Sequence, residues 1–182
     1  MRTIVDQNIL LRYTTGEVQA YTMTEKIIAD RVQLAEKIEA LKQQGKRIVL
    51  TNGGFNILHV GHIRSLIDAK GLGDILVVAV NSDSSLQELK GKDYPIMPED
   101  QRLEILAALA CVDFVTLFHE ATADNILLQL KPHLHAKGTD YSKDSIRERQ
   151  TVLSYGGETA IVGDPKRHST STIIETIRKG AR

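Results

Sequence analysis

The chain has 182 residues, 42% of them hydrophobic, with 23 Lys and Arg against 23 Asp and Glu. That length suits one α/β domain with an extension, and a formal charge of zero speaks against a nucleic-acid or membrane-surface partner. No apolar run approaches the ~20 residues of a membrane span, residues 1–13 lack the pattern of a secretory signal, and the single cysteine, Cys111, allows neither an intrachain disulfide nor a cysteine-built metal site. A reducing, cytoplasmic setting is expected, with Cys111 as a small core residue in "ALACVDFV".

An arm opens the chain, residues 1 to about 23, with apolar clusters at Ile4-Val5 and Ile9-Leu11. From Thr24 to Gln44 the residues Ile27, Ile28, Val32, Leu34, Ala35, Ile38 and Leu41 recur at helical spacing, and Gly45 is placed to stop that helix. Two apolar lines on it, Ile27/Leu34/Leu41 and Ile28/Val32, lead to the expectation of a homodimer to which residues 1–44 contribute.

Residues 46–182 then alternate in type, which sets them apart from the arm and helix of residues 1–45. "RIVLTN" reads as a buried strand, Val60–Lys70 as a helix, and "DILVVAVN" as a second strand after a Gly71-Leu72-Gly73 turn. Glu99–Ala110 reads as a helix with Pro98 at its first turn, "VDFVTLF" as a strand, Thr122–Leu130 as a helix and "LHAKG" as a strand. Asp144–Tyr155 is expected to be helical, "TAIVG" is a fifth strand, and Ser169–Arg178 closes the chain as a helix. Such alternation predicts a Rossmann-like three-layer α/β sandwich with a five-stranded parallel sheet. Ligands in these sheets bind beyond the carboxyl ends of the strands, which selects the loops after Asn52, Asn81, Phe118, Lys137 and Gly163.

Two of those loops carry phosphate chemistry. In "TNGGFNILHVGH" the strand ends at Asn52 and Gly53, and the chain passes Gly54, Phe55 and Asn56 to a helix start that holds His59, Gly61 and His62. Glycines let the backbone approach a ligand, free amides at a helix start attract anions, and histidines three apart share one side of a helix. A glycine turn with two surface histidines would look the same. In "DPKRHSTST" the hydroxyls of Ser169, Thr170, Ser171 and Thr172 follow Lys166 and Arg167 at the start of the last helix. By itself that is an over-supplied N-cap. Two anion-friendly helix starts in one parallel sheet suggest a triphosphate held between them.

A strand followed by H-x-G-H at a helix start, then a late S-T-S/T helix start, resembles the nucleotidylyltransferase superfamily. With "GDILVVAVNSD", "LKGKDYPIMPEDQRLEILAALACVDFV", "HAKGTDY" and "GGETAIVGD" the resemblance narrows to the adenylyltransferase part of the bacterial heptose-1-phosphate kinase/adenylyltransferase group. It covers roughly residues 46–179 and leaves residues 1–23 without a counterpart. It implies attack by a phosphate monoester on the α-phosphate of an NTP, with pyrophosphate leaving and Mg2+ bridging the phosphates. ATP with D-glycero-D-manno-heptose 1-phosphate, giving ADP-heptose, is the leading expectation. Alternatives are CTP with glycerol 3-phosphate or another polyol phosphate, ATP with FMN, or a nucleotide-binding sensor without catalysis.

By the same resemblance His59 and His62 stabilise the α-phosphate and leaving group, and Gly53–Phe55 lie along the triphosphate. Ser169, Thr170 and Ser171 hold its outer phosphates, and Lys90 closes over them from a mobile loop. Arg102, Lys137 and Asp140 lie near the nucleotide, with Asn52, Asn81, Asn56 and Gly61 in the same binding set; no protein metal site is implied. The family pattern G-C-F-D reads Gly53-Gly54-Phe55-Asn56 here. An asparagine keeps hydrogen-bonding capacity and loses the charge, which puts acceptor choice and metal dependence in question. The resemblance includes no kinase half, so a separate sugar kinase is expected upstream.

Overall fold

The computed structural model describes residues 9–14, 17–142, 144–165 and 169–180. Lys166 and Arg167 of the late cluster, and the Ile4-Val5 part of the arm, lie outside the described residues.

The arm holds two strands, β1 (Ile9–Thr14) and β2 (Glu17–Thr22), paired antiparallel from Ile9↔Thr22 to Thr14↔Glu17. They form a two-stranded sheet of their own. The helix expected over Thr24–Gln44 is broken into α1 (Met23–Lys26) and α2 (Arg31–Gln43). The cause is Asp30, whose carboxylate accepts the amides of Val32 at 2.8 Å and Gln33 at 3.3 Å and so starts a new helix as its N-cap. Between the helices, the Ile28 amide donates to the Val115 carbonyl at 2.9 Å, and Ile27 bridges Val115 in parallel register. Ile28, Leu34 and Ile38 are all buried in one core, and of the two apolar lines Val32 is the residue left facing solvent.

Next come β3 (Ile48–Gly53), α3 (Val60–Gly71) and β4 (Ile75–Asn81). Helix α4 (Asp83–Lys90) was not expected; α5 (Glu99–Ala107) follows, shorter than the expected Glu99–Ala110. The chain continues through β5 (Phe114–Phe118), α6 (Asp124–Leu130), β6 (Leu134–Gly138), α7 (Arg149–Ser154), β7 (Glu158–Val162) and α8 (Thr170–Arg178). Helix α7 covers only the second half of the expected Asp144–Tyr155. The Ser145 hydroxyl accepts the Ser142 amide at 2.9 Å and donates to the Ser142 carbonyl at 3.0 Å, a local turn that competes with helix.

The five strands β3 to β7 pair in parallel in the order β5-β4-β3-β6-β7. Alternate residues feed the two faces. Ile48, Leu50, Val77 and Ala79 pack with Leu34 and Ile38 of α2 and Ile126, Leu127 and Leu130 of α6. Val49, Leu76, Val78 and Val80 pack with Leu66 of α3 and Leu106 of α5. This is the Rossmann-like three-layer sandwich read from the sequence. From β3 the chain first winds outward through β4 and β5, then returns to place β6 on the other side. That reversal puts a crevice beyond the carboxyl ends of β3 and β6.

Candidate active site

Above those strand ends lies a cleft of two adjoining chambers, about 400 and 530 Å³, that share His62, Ser65, Lys90, Gly138 and Asp140 as a common wall. The first chamber lies between the starts of α3 and α8 and is lined by His59, Gly61, Ser169, Thr170 and Ser171. The second spreads over the strand ends and is lined by Asn52, Gly53, Gly54, Phe55, Asn81 and Lys137.

In the β3–α3 loop the side-chain positions of Gly53 and Gly54 are already filled by neighbours. A Cβ on Gly54 would stand 2.9 Å from Leu86 Cδ2, and one on Gly53 would stand 3.3 Å from the Phe55 ring. Phe55 takes a left-handed φ of 46°, uncommon for a residue with a Cβ. Its ring sits 5.3 Å from that of His62. The rings of His59 and His62 stack at 3.9 Å, as their spacing on one side of a helix start requires. The His59 amide donates to His62 Nδ1 at 3.4 Å, which leaves the Nε2–H of His62 for a ligand. Burial first, then the charges of His59 and Lys90, push the His62 imidazole down to about 4, with Asp140 acting the other way. At neutral pH it is therefore a neutral donor that an arriving polyanion would pull back toward protonation.

At the other helix start, the Ser169 hydroxyl accepts the Thr172 amide at 3.1 Å, so it is spent as the N-cap of α8. The Thr170 hydroxyl donates to the Ile57 carbonyl at 3.2 Å and ties α8 to the lead-in of α3. What remains for an anion there is the amides of the first turn and the Ser171 hydroxyl, which lines the first chamber. Arg64 bridges from α3 to Asp164 at 2.5 Å, and the Thr139 hydroxyl donates to the Asp164 carbonyl at 2.6 Å, so the loop before α8 is fastened on both sides.

Under the second chamber is a buried polar group. Asn52 Oδ1 receives His135 Nε2 at 2.9 Å and Lys137 Nζ at 3.2 Å. Lys137 Nζ also lies 4.7 Å from the centre of the Tyr141 ring. Burial, reinforced by the Lys137 charge, holds the His135 imidazole down to about 3. Burial likewise lowers the Lys137 ammonium below its ordinary value, opposed by Glu148.

Fourteen of the residues read from the sequence therefore line one cleft. Two do not. Arg102 is fully buried beneath the loop. Its Nε donates to the Met97 carbonyl at 3.0 Å, its Nη1 to the carbonyls of Gly54 at 2.6 Å and Asn81 at 2.8 Å, and its Nη2 to Asp83 Oδ1 at 2.7 Å. A guanidinium so engaged positions two loops and lines neither chamber. Asn56 is also buried; its Oδ1 accepts the amides of Ile96 at 2.6 Å and Met97 at 3.1 Å. Lys90 does line the cleft, at the last residue of helix α4 and not on a loop.

Sequence reasoning missed Ser65 and Arg64 on α3, and Thr122, Tyr141, Arg147 and Glu148 around the second chamber. Ser65 is three residues from His62 and could have been found by helical spacing. Arg147 and Glu148 sit in a turn that periodicity assigned to a helix surface. Among the described residues no group of three or more His, Cys, Asp and Glu side chains converges on a metal position, and no helix is long and apolar enough to cross a membrane.

Residues 50–176 match the family model described as cytidylyltransferase-like. The bifunctional protein HldE of Pelobacter propionicus is 45% identical over 158 residues, which is 87% of this chain and 32% of that protein. HldE of Geobacter sulfurreducens is 46% identical over 146 residues, 80% of this chain and 30% of that protein. The chain thus spans about a third of the length of these curated relatives. The crystal structure of the lipopolysaccharide core biosynthesis protein from Thermoplasma volcanium superposes with a TM-score of 0.59 at 31% identity, covering 67% of this chain and all of that one. With the paired helix starts, the H-x-G-H cluster and the match over most of its length, the chain belongs to the cytidylyltransferase-like family, on the side of its HldE relatives.

Proposed function

We propose that the chain is a nucleotidylyltransferase that joins ATP to D-glycero-D-manno-heptose 1-phosphate, forming ADP-heptose and releasing pyrophosphate. The observation that carries this reading is the shared wall of the two chambers. His62 and Lys90 stand where a nucleotide in the first chamber and a phosphate monoester in the second would meet, which assigns Asn52, Gly53, Gly54, Phe55, Asn81 and Lys137, expected at the nucleotide, to the acceptor's side. The acceptor's phosphate oxygen attacks the α-phosphorus in line, the bond to the β-phosphate breaks, and pyrophosphate takes up the released negative charge. Such a transfer needs positioning and charge stabilisation more than covalent help from the protein. The amides at the α8 start hold the outer phosphates, His59 and His62 donate to oxygens on which charge builds, and Lys90 adds a cation from the end of α4.

Mg2+ would supply further charge neutralisation between the phosphates, and it is commonly held by one or two carboxylates with phosphate oxygens completing its shell. Asp140, on the shared wall, is the carboxylate that would face a cation carried in by the nucleotide. A homodimer joined through the N-terminal arm completes the proposal, supported by a β1–β2 hairpin that pairs with no other strand among the described residues; such a hairpin alone is marginally stable. Light scattering on the full chain tests it, and a monomer would refute it.

The test of function is pyrophosphate release across a grid of NTPs and phosphomonoesters that includes glycerol 3-phosphate and FMN. Release specific to ATP with the heptose phosphate supports the proposal. Preference for CTP with a polyol phosphate, or nucleotide binding without release for any acceptor, overturns it.

A further inference from the structure

We infer that Glu148 reads the uncharged, hydroxyl-bearing body of the acceptor in the second chamber and fixes its phosphate at the opposite end. This rests on the assignment of that chamber to the acceptor. Glu148 lines the chamber yet is only 6% exposed. It precedes α7, but its side chain caps nothing there, and among the described residues its carboxylate takes no hydrogen bond. The nearby cation, Lys137, already donates to Asn52 Oδ1 at 3.2 Å and lies against the Tyr141 ring. Arg147, the other cation of this wall, is exposed.

A carboxylate that opens onto a cleft with no protein donor on its oxygens offers its lone pairs to donors from a ligand. Vicinal hydroxyls of a sugar are such donors. A second anion is the opposite: like charges brought together in a closed site cost several kcal/mol. Position and hydrogen-bonding character orient the acceptor: its phosphate goes to the shared wall, where Lys90 and the His62 N–H face the nucleotide beside Asp140, and its polyol end goes to the acceptor-only oxygens of Glu148. The same arrangement rejects sugars that carry a second phosphate or a carboxylate at the far end.

Calorimetric titration of the chain with a hexose 1-phosphate, heptose 1-phosphate and a hexose 1,6-bisphosphate tests this. The parent should bind the monophosphates at least about tenfold more tightly than the bisphosphate, and in Glu148→Gln that ratio should collapse toward one. Glu148→Asp, which keeps the charge but withdraws it by one methylene, should weaken monophosphate binding and keep the rejection. ATP-induced thermal stabilisation, unchanged in each variant, reports that the rest of the cleft is intact. The inference is overturned if the parent binds the bisphosphate as tightly as the monophosphates, as it would were Arg147 to capture the far phosphate. It is equally overturned if the ratio survives Glu148→Gln, or if no sugar phosphate binds. Should the ratio behave as stated while no NTP yields pyrophosphate, nucleotidyl transfer fails and the role of Glu148 stands; pyrophosphate release with an unaffected ratio gives the converse.

Discussion

Replacing Arg102 separates a positioning role from a ligand contact. Its side chain is fully buried and makes four hydrogen bonds, three to backbone carbonyls and one to the Asp83 carboxylate. Arg102→Met removes every donor and keeps most of the volume. The carbonyls of Gly54, Asn81 and Met97 then lose a charged partner, at about 1–3 kcal/mol for each group left buried without one. Asp83 retains partial access to water, with its side chain 34% exposed, so its stranded charge adds less than the full penalty for a broken buried pair. A loss of about 3–9 kcal/mol is expected, a large share of the ~5–15 kcal/mol that holds a domain together. With a urea slope near 2 kcal/mol per molar, the midpoint should fall by roughly 1.5–4.5 M. Arg102→Lys keeps the charge but not the fork and should lose about half as much. Urea unfolding, followed by ATP titration of whatever remains folded, is the assay. If both variants unfold within about 0.5 kcal/mol of the parent while ATP binding weakens tenfold, Arg102 is a nucleotide contact and the positioning account is wrong.

His59→Ala and His62→Ala should each lower kcat by about a hundredfold with the fold retained, since one charge-stabilising donor is worth roughly 3 kcal/mol in the transition state; near-normal turnover in both would remove H-x-G-H from the chemistry. Acid should destabilise the fold through two histidines. The ordinary value of 6.5 falls to about 4 for His62 and about 3 for His135, so unfolding takes up protons once the pH drops below 6.5. Their contribution is complete above that value and is lost as pH falls toward 4 and then 3, with a slope of ~1.4 kcal/mol per pH unit for each group. His135→Gln should flatten urea-derived stability between pH 6 and 5 by about one proton's worth, and an unchanged slope would refute the buried neutral imidazole. Asn56→Asp keeps the acceptor for the Ile96 and Met97 amides, and the side chain lines neither chamber. It should leave acceptor preference unchanged and ATP affinity within about threefold, under ~0.7 kcal/mol; a changed acceptor preference or a tenfold loss of ATP binding would place Asn56 at a ligand.

The sheet was legible because parallel strands buried on both faces leave continuous apolar runs such as Ile75–Asn81, and the glycines and histidines of the β3–α3 loop announce themselves by type. Helix α4 was not, since Asp83–Lys90 is mostly polar and small and offers only Leu86 and Leu89 to a periodicity count. Asp30 was overlooked for the opposite reason, as apolar spacing runs straight across the break that its carboxylate makes. The role of Arg102 was out of reach: an arginine on a helix has no local mark of whether its fork meets phosphate or carbonyls, and Gly54 lies 48 positions away. Glu148 was hidden by the same kind of distance, because the chamber it lines is also built from the ends of β3 and β6, far from it in sequence.

Following the label in ATP tests the central claim most directly. The chain, Mg2+ and D-glycero-D-manno-heptose 1-phosphate are incubated in parallel with ATP labelled at the α- or the γ-phosphorus, and the products are separated. Nucleotidyl transfer predicts α-label in the sugar nucleotide, γ-label in pyrophosphate, and loss of both signals in His62→Ala. Label from the γ-phosphorus in the sugar product, or α-label recovered only in ATP, ADP or AMP, would contradict it.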